Sequence, residues 1–277
     1  MNAANTAVQR SSAPSDAAKQ RLLSQWGEPL FLADWREVSM MHFEVDADAL
    51  QRDISYELDL RDGRAYVSVV AFTMHGMRPR FGGTLGAWLF RPIATHHFLN
   101  VRTYVRHDNE RGIHFIAEWL SNRLAVALGP RTFGLPYRYG HIRYQNDWRC
   151  RKSSGHVEDA RTGDSFRYQA TLPTSQFTPC EQGTLDEWLM EHYIAFTGRP
   201  PNSPLQIFVP GGTRICTDRK FFRVWHLPWL QGTAQVPWLE KTLLEKNWAW
   251  FNDARLVGAN YSPGVRDVWM GRPHTIH

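Results

Sequence analysis

Lysine is scarce in this chain: of the 32 basic side chains among 277 residues, only Lys19, Lys152, Lys220, Lys241 and Lys246 are lysines. The remaining basic residues are arginines spread along the sequence, so the formal charge of +5 does not gather into the basic patch that a nucleic acid requires, and no nucleic-acid-binding motif accompanies it. Cysteine is scarcer still. Cys150, Cys180 and Cys216 are odd in number and far apart, which fits neither a disulfide framework nor a CxxC metal knuckle and points to a reducing compartment. No stretch approaches 18 apolar residues and the first residues carry no apolar leader, so the expectation is a cytoplasmic chain with no membrane partner. The sequence also lacks a GxSxG elbow and an HExxH pair, while Gly82-Gly83 and Gly211-Gly212 lack the strand-glycine-helix order of a phosphate cradle.

What the chain has in abundance is aromatic residues. Twelve Trp and fifteen Phe, within a composition 43% hydrophobic and 21% charged, supply wide side chains for a sheet-built core or a pocket. Residues 1–18 are small and polar and read as a disordered tail; residues 19–277 read as one domain. A short helix is expected from Lys19, then early strands in PLFLADW and VSMMHFEV. Residues 54–76 read as a hairpin turning at Arg61-Asp62-Gly63, and residues 77–92 as an irregular loop. A second hairpin joins NVRTYVRH to GIHFIAEWL. Ser121 is expected to cap a short helix that Gly129-Pro130 ends, and further antiparallel strands follow. Thr184, with Glu187 three residues on, predicts a capping box opening a helix over TLDEWLMEHYIAFT. WLEKTLLEKNW predicts another helix, and YSPGVRDVWM a closing strand.

Alternation along the second hairpin sorts its side chains. Asn100, Arg102 and Tyr104 share one face of their strand, and His114 and Glu118 share one face of the next. Arg102 is the first candidate for chemistry, because a guanidinium on a central strand either clamps a carboxylate bidentately or is neutralised by a neighbour such as Glu118. His226, between Trp225 and Leu227, and Glu118 are the acid-base candidates. His96, His97 and His114 lack metal-ligand spacing, so no metal is expected.

In order, LDLRDGRAYVSVVAFTMHGMRPR, LNVRTYV, SNRLAVALGPRTFGLPY, TLDEWLMEHYIAF and HLPWLQ resemble the uncharacterised YqjF-like family (domain of unknown function 2071), in the acetoacetate decarboxylase-like superfamily, over about residues 26–270. The resemblance implies a mainly β fold with flanking helices (α+β), an antiparallel β barrel of the acetoacetate decarboxylase-like type enclosing a pocket for a small keto acid. In true acetoacetate decarboxylases a buried lysine, its pKa lowered by a neighbouring lysine, forms a Schiff base. None of the five lysines here has a lysine neighbour or lies in a segment that reads as an interior strand. The family's acidic residue two positions before the NVRTYV core is Phe98 in this chain, which weakens the case for acid-base catalysis.

The expectation is therefore a protein binding a small organic acid through Arg102, Tyr104, Asn100 and His114, without a cofactor. If it is an enzyme, its reaction is lyase- or hydratase-like, with Glu118 or His226 catalytic. The alternative is a non-catalytic structural or partner-binding barrel, and homo-oligomer formation is left open.

Overall fold

The computed structural model describes residues 14–24, 28–174, 176–198, 218–224 and 229–276. Its elements in chain order are α1 (Pro14–Leu23), β1 (Phe31–Val45), α2 (Ala47–Gln51), β2 (Glu57–Leu58), β3 (Ala65–Pro79), α3 (Gly83–Phe90), β4 (His96–His107), β5 (Glu110–Leu120), α4 (Arg123–Phe133), β6 (Tyr137–Asp147), β7 (Lys152–Asp159), β8 (Ser165–Thr171), α5 (Leu185–Met190), β9 (Ile194–Thr197), β10 (Arg219–Val224), β11 (Gly232–Thr233), β12 (Gln235–Glu240), α6 (Thr242–Asn247), β13 (Arg255–Met270) and β14 (His274–Thr275). The protein is mainly β with few helices, as the alternating and β-branched runs predict. No described helix is long and apolar enough to cross a membrane.

Strand pairing forms a closed circuit. β5 pairs with β4 on one side and with β9 on the other, and the pairings β9, β10, β13, β1, β3, β4 return to β5. β6, β7, β8 and β12 continue from β5 as an arm. The pleat then divides the interior in two. Val67, Val101, Ala117 and Trp119 face Ile142, Val157 and Phe166 of the arm, together with Leu243 and Phe251. The opposite face of every strand in the circuit contributes to a second cluster, including Met40, Val70, Phe98, Tyr104, Phe115, Ala195, Phe221 and Val268. Side chains from all seven strands thus share one buried cluster.

Several local expectations are corrected. The turn at residues 61–64 forms, with Asp62 and Gly63 both at positive φ, but the arm before it leaves β3: Glu57 and Leu58 pair with Arg106 and Val105 of β4. The cause is Asp59, which is buried and accepts hydrogen bonds from Arg106 Nε (2.5 Å) and Arg111 Nε (2.6 Å). Residues 77–92 are not an irregular loop, since β3 runs on to Pro79 and α3 follows. Asn122, not Ser121, caps α4 by accepting from Ala125 N, because Ser121 Oγ is engaged by His97 N; α4 passes through Pro130 to Phe133, and Gly134 at φ 70° ends it. The capping hydroxyl of Thr184 does accept from Glu187 N, but α5 stops at Met190. Ile194–Thr197 instead form β9, where strand partners on both sides override the helical pattern. The WLE of the expected later helix lies in β12, and α6 is only Thr242–Asn247. The expected antiparallel order also has exceptions, for β5 runs parallel to both β6 and β9.

Candidate functional site

The site is built on the inner faces of β4, β5 and β10. Asn100, Arg102 and Tyr104 point inward, where they are buried among the aromatic side chains of the second cluster. Their placement opposite β5 depends on one extra residue. Val101 pairs with Ala117 and Arg102 with Phe115, so Ile116 bulges out of the ladder. Beyond the bulge Glu118 faces inward beside Asn100, whereas His114 pairs with Thr103 and packs on the outer side against Tyr56, at 5.3 Å between rings. Simple alternation puts His114 and Glu118 on one face; the bulge separates them, and His114 does not join the other candidates.

Arg223, on β10, was not singled out from the sequence. It is 4% exposed, as is Arg102, and Glu118 is 3% exposed. Among the described residues no carboxylate forms an ion pair with either guanidinium. Arg102 reaches the Met40 thioether at 3.8 Å and lies beside the Tyr104 phenol. Arg223 packs over the rings of Trp35 and Phe115 and touches the His192 carbonyl at 3.5 Å. The Nε atoms of both arginines, Glu118 Oε2 and Asn100 Oδ1 have no hydrogen-bond partner. Buried polar atoms without partners are rare in a finished core, and orphaned cations rarer.

These groups meet an apolar cavity of about 90 Å³, lined by Phe31, Phe72, Phe98, Phe115 and Phe221, with Asn100, Glu118 and Arg223 as its polar wall. Arg102 lies outside the lining, one strand residue pair further in than Asn100. A second cavity of about 180 Å³ shares Phe31, Met74, Met77, Phe133 and Tyr137 with the first and extends beneath Phe90 of α3 and Leu128 of α4. Phe98 stacks on Phe72 at 4.9 Å.

Burial sets the charges. It pushes the Glu118 carboxyl up to about 8, against the opposing pull of Arg223 and Arg102, so at neutral pH this acid holds its proton. Burial, and then the charge of Arg102, pushes Arg223 down to about 9. The site thus concentrates positive charge with no resident anion to balance it.

Beneath Arg102 runs a buried hydrogen-bonded chain. Tyr104 Oη lies 2.5 Å from Ser68 Oγ, which lies 2.7 Å from His42 Nδ1; His42 Nε2 lies 3.0 Å from Asn260 Oδ1. Asn260 Nδ2 donates to Asp186 Oδ2 (3.0 Å) and Gln231 Oε1 (2.7 Å). Burial, reinforced by Arg102, lowers the His42 pKa to about 3, so its ring is neutral and has one N–H. That hydrogen goes to Asn260, Nδ1 accepts from Ser68, and the Tyr104 hydroxyl is left to donate to Ser68 or to the Leu189 carbonyl at 2.8 Å. Ser68, His42 and Asn260 sit singly in apolar or mixed strands, where a sequence shows only an interruption.

Of the remaining candidates, His226 lies outside the described residues. His96 lines the second cavity, where burial lowers its pKa to about 4, whereas His97 turns the other way to Thr73 Oγ1 at 2.9 Å. Lys220, not expected to lie in an interior strand, is on β10, but its ammonium turns to Glu110 at 2.7 Å. Lys241 donates to the backbone carbonyls of Phe251 and Asn252. No lysine lines either cavity.

Among solved structures, the fold is similar to an acetoacetate decarboxylase-like enzyme from Sphingomonas wittichii RW1, with a TM-score of 0.60, 17% identity and coverage of 90% of this chain and 95% of that one. It is also similar to the acetoacetate decarboxylase of Legionella pneumophila (TM-score 0.62, 14% identity, 90% and 87% coverage). The enduracididine biosynthesis enzyme MppR in complex with pyruvate is a third such structure (TM-score 0.57, 12% identity, 91% and 92% coverage). At these identities the likeness is one of fold. The chain is 31% identical over 168 residues to the uncharacterized protein YqjF of Bacillus subtilis strain 168, a match spanning 59% of this chain and 65% of that relative, less than two thirds of its length. The model of DUF2071, described as an uncharacterized conserved protein, matches residues 32–266, and the chain belongs to that family.

Proposed function

We propose that the circuit of strands is a barrel whose interior binds a small organic acid of a few heavy atoms, its carboxylate lodged against Arg223 and Arg102. The observation that carries this reading is the pair of buried guanidiniums with no ion-pair partner among the described residues, set beside a carboxyl held protonated. A desolvated cation without a counterion is strongly unfavourable, and a carboxylate arriving from solution supplies both the charge and the missing acceptors. Protonated Glu118 and the Asn100 carboxamide then offer donors to the ligand's remaining oxygens, and the phenylalanine-lined wall takes its carbon end. The pyruvate bound by the MppR neighbour supports a 2-oxo acid as the ligand class.

Amine catalysis has no candidate, since no lysine lines either cavity. If the site is catalytic, the reaction is proton transfer next to a carbonyl, because a carboxyl with a pKa of about 8 both holds and releases a proton near neutral pH. The test is thermal unfolding in the presence of pyruvate and a series of 2-oxo and 2-hydroxy acids. Saturation at roughly 100 times Kd stabilises the fold by about 2.7 kcal/mol. Arg223→Met and Arg102→Met, with unchanged near-ultraviolet circular dichroism, should lose that response. An undiminished response in both variants, or no response of the native chain to any acid, would overturn the proposal. Exchange of the pyruvate methyl protons with deuterated solvent, present in the native protein and lost in Glu118→Gln, separates catalysis from binding.

A further inference from the structure

Helix α3, with the sequence GTLGAWLF, contains no charged residue and no buried one. A helix that is apolar all round is normally enclosed by protein or lipid. Here Leu85, Trp88 and Leu89, together with Phe81 just before the helix, are 61–65% exposed, and their spacing places them on one face. Leu124 and Leu128 of α4 add a second exposed pair, 48% and 40% exposed. The two helices are linked through the intervening turn, where Asn122 Nδ2 donates to the Pro92 carbonyl at 2.7 Å. Six large apolar side chains standing in solvent around one feature mark a surface made to be covered.

The charge around this face identifies the cover. From residue 63 to residue 107, and again from 119 to 146, the chain has no aspartate or glutamate. Both helices lie within those stretches, and among the described residues the exposed charged groups at their edges are Arg80, Arg91 and Arg123, while Arg78 is paired with Asp267. Arg80 packs over Phe81 at 5.3 Å and Arg123 over Tyr139 at 4.6 Å, so each cation is held beside an aromatic ring. A second copy of the chain is a poor cover, because a two-fold interface would oppose arginine to arginine without a carboxylate on these helices to pair them. Protruding Trp, Phe and Leu flanked by arginine is the composition that enters the headgroup region of an anionic bilayer.

We propose that α3 and the start of α4 form a peripheral docking surface for an anionic lipid membrane. Phe90 and Leu128 also line the second cavity, so the docked face covers its mouth, and a ligand would reach the interior from the membrane side.

Sedimentation of the full chain with vesicles of phosphatidylcholine, with and without 30% phosphatidylglycerol, tests this. The native protein should bind the anionic vesicles, more weakly at high salt. Leu85→Ser/Trp88→Ser should abolish binding with circular dichroism and melting temperature unchanged, as expected for exposed positions. Arg80→Gln/Arg91→Gln should weaken binding by roughly 25-fold, since each arginine near an anionic surface contributes about fivefold. Failure to bind anionic vesicles overturns the proposal, as does binding that Leu85→Ser/Trp88→Ser leaves intact. Sedimentation equilibrium showing a dimer that this same variant dissociates, without vesicle binding, would assign the surface to a second copy instead.

Discussion

Glu118→Gln isolates the energetics of the site, because glutamine is the isostere of the protonated acid. In the unfolded chain Glu118 titrates at its ordinary value of 4.5, and in the folded protein at about 8. Between these values the unfolded state releases a proton that the folded state keeps, so native stability falls by about 1.4 kcal/mol for each pH unit gained. The stability is fully present below pH 4.5 and is lost as pH rises through 8. The total is about 5 kcal/mol, of which about 4 kcal/mol is lost by pH 8, a large share of the 5–15 kcal/mol typical of a folded domain. The buried histidines titrate with the opposite sign and below pH 6.5, and they are the same in both proteins, so they cancel in the comparison. Urea unfolding of the native chain and the variant from pH 5 to 8.5 is the assay. The two should have similar stability at pH 5, and the variant should become the more stable by several kcal/mol at pH 8. Parallel curves across that range would show that Glu118 ionises normally inside the protein and would refute the charge balance derived for the cavity.

Anion binding should draw protons from solution, since a carboxylate beside Glu118 raises its pKa further: calorimetric titration with pyruvate at pH 8 in buffers of different ionisation enthalpy should show uptake of up to about half a proton, absent in Glu118→Gln. His42→Leu should destabilise the fold by about 3 kcal/mol in urea unfolding, because Ser68 and Asn260 each lose a partner where water cannot replace it.

The strand pattern was legible because alternation and turn residues are local properties, and the family resemblance could be read from ordered motifs for the same reason. Arg102 stood out as a charge inside a β-branched run. Arg223 did not, since FFRVW places it among several arginines and only the closure of β10 onto β13 and β9 turns it toward Glu118. The chain through Ser68, His42 and Asn260 joins residues 26 and 218 positions apart, and no window along the sequence contains it. The capping box at Thr184 marks where α5 begins but not where it ends, because the residues of β9 take their conformation from strands contributed by distant segments.

The bulge at Ile116 makes the chemistry of the interior depend on a count of residues as well as on their identity. If β5 kept its anchoring at Gly112 and Ile113 but paired without the bulge, Ile116 would take the place opposite Val101, the Glu118 carboxyl would turn to the outer layer and Trp119 would turn toward the cavity. Deleting Ile116 would instead keep Val101 opposite Ala117 and Asn100 opposite Glu118 with the carboxyl still inward, so a related chain one residue shorter at this position would be expected to enclose the same acid, whereas one that carries the extra residue as regular strand would enclose an indole.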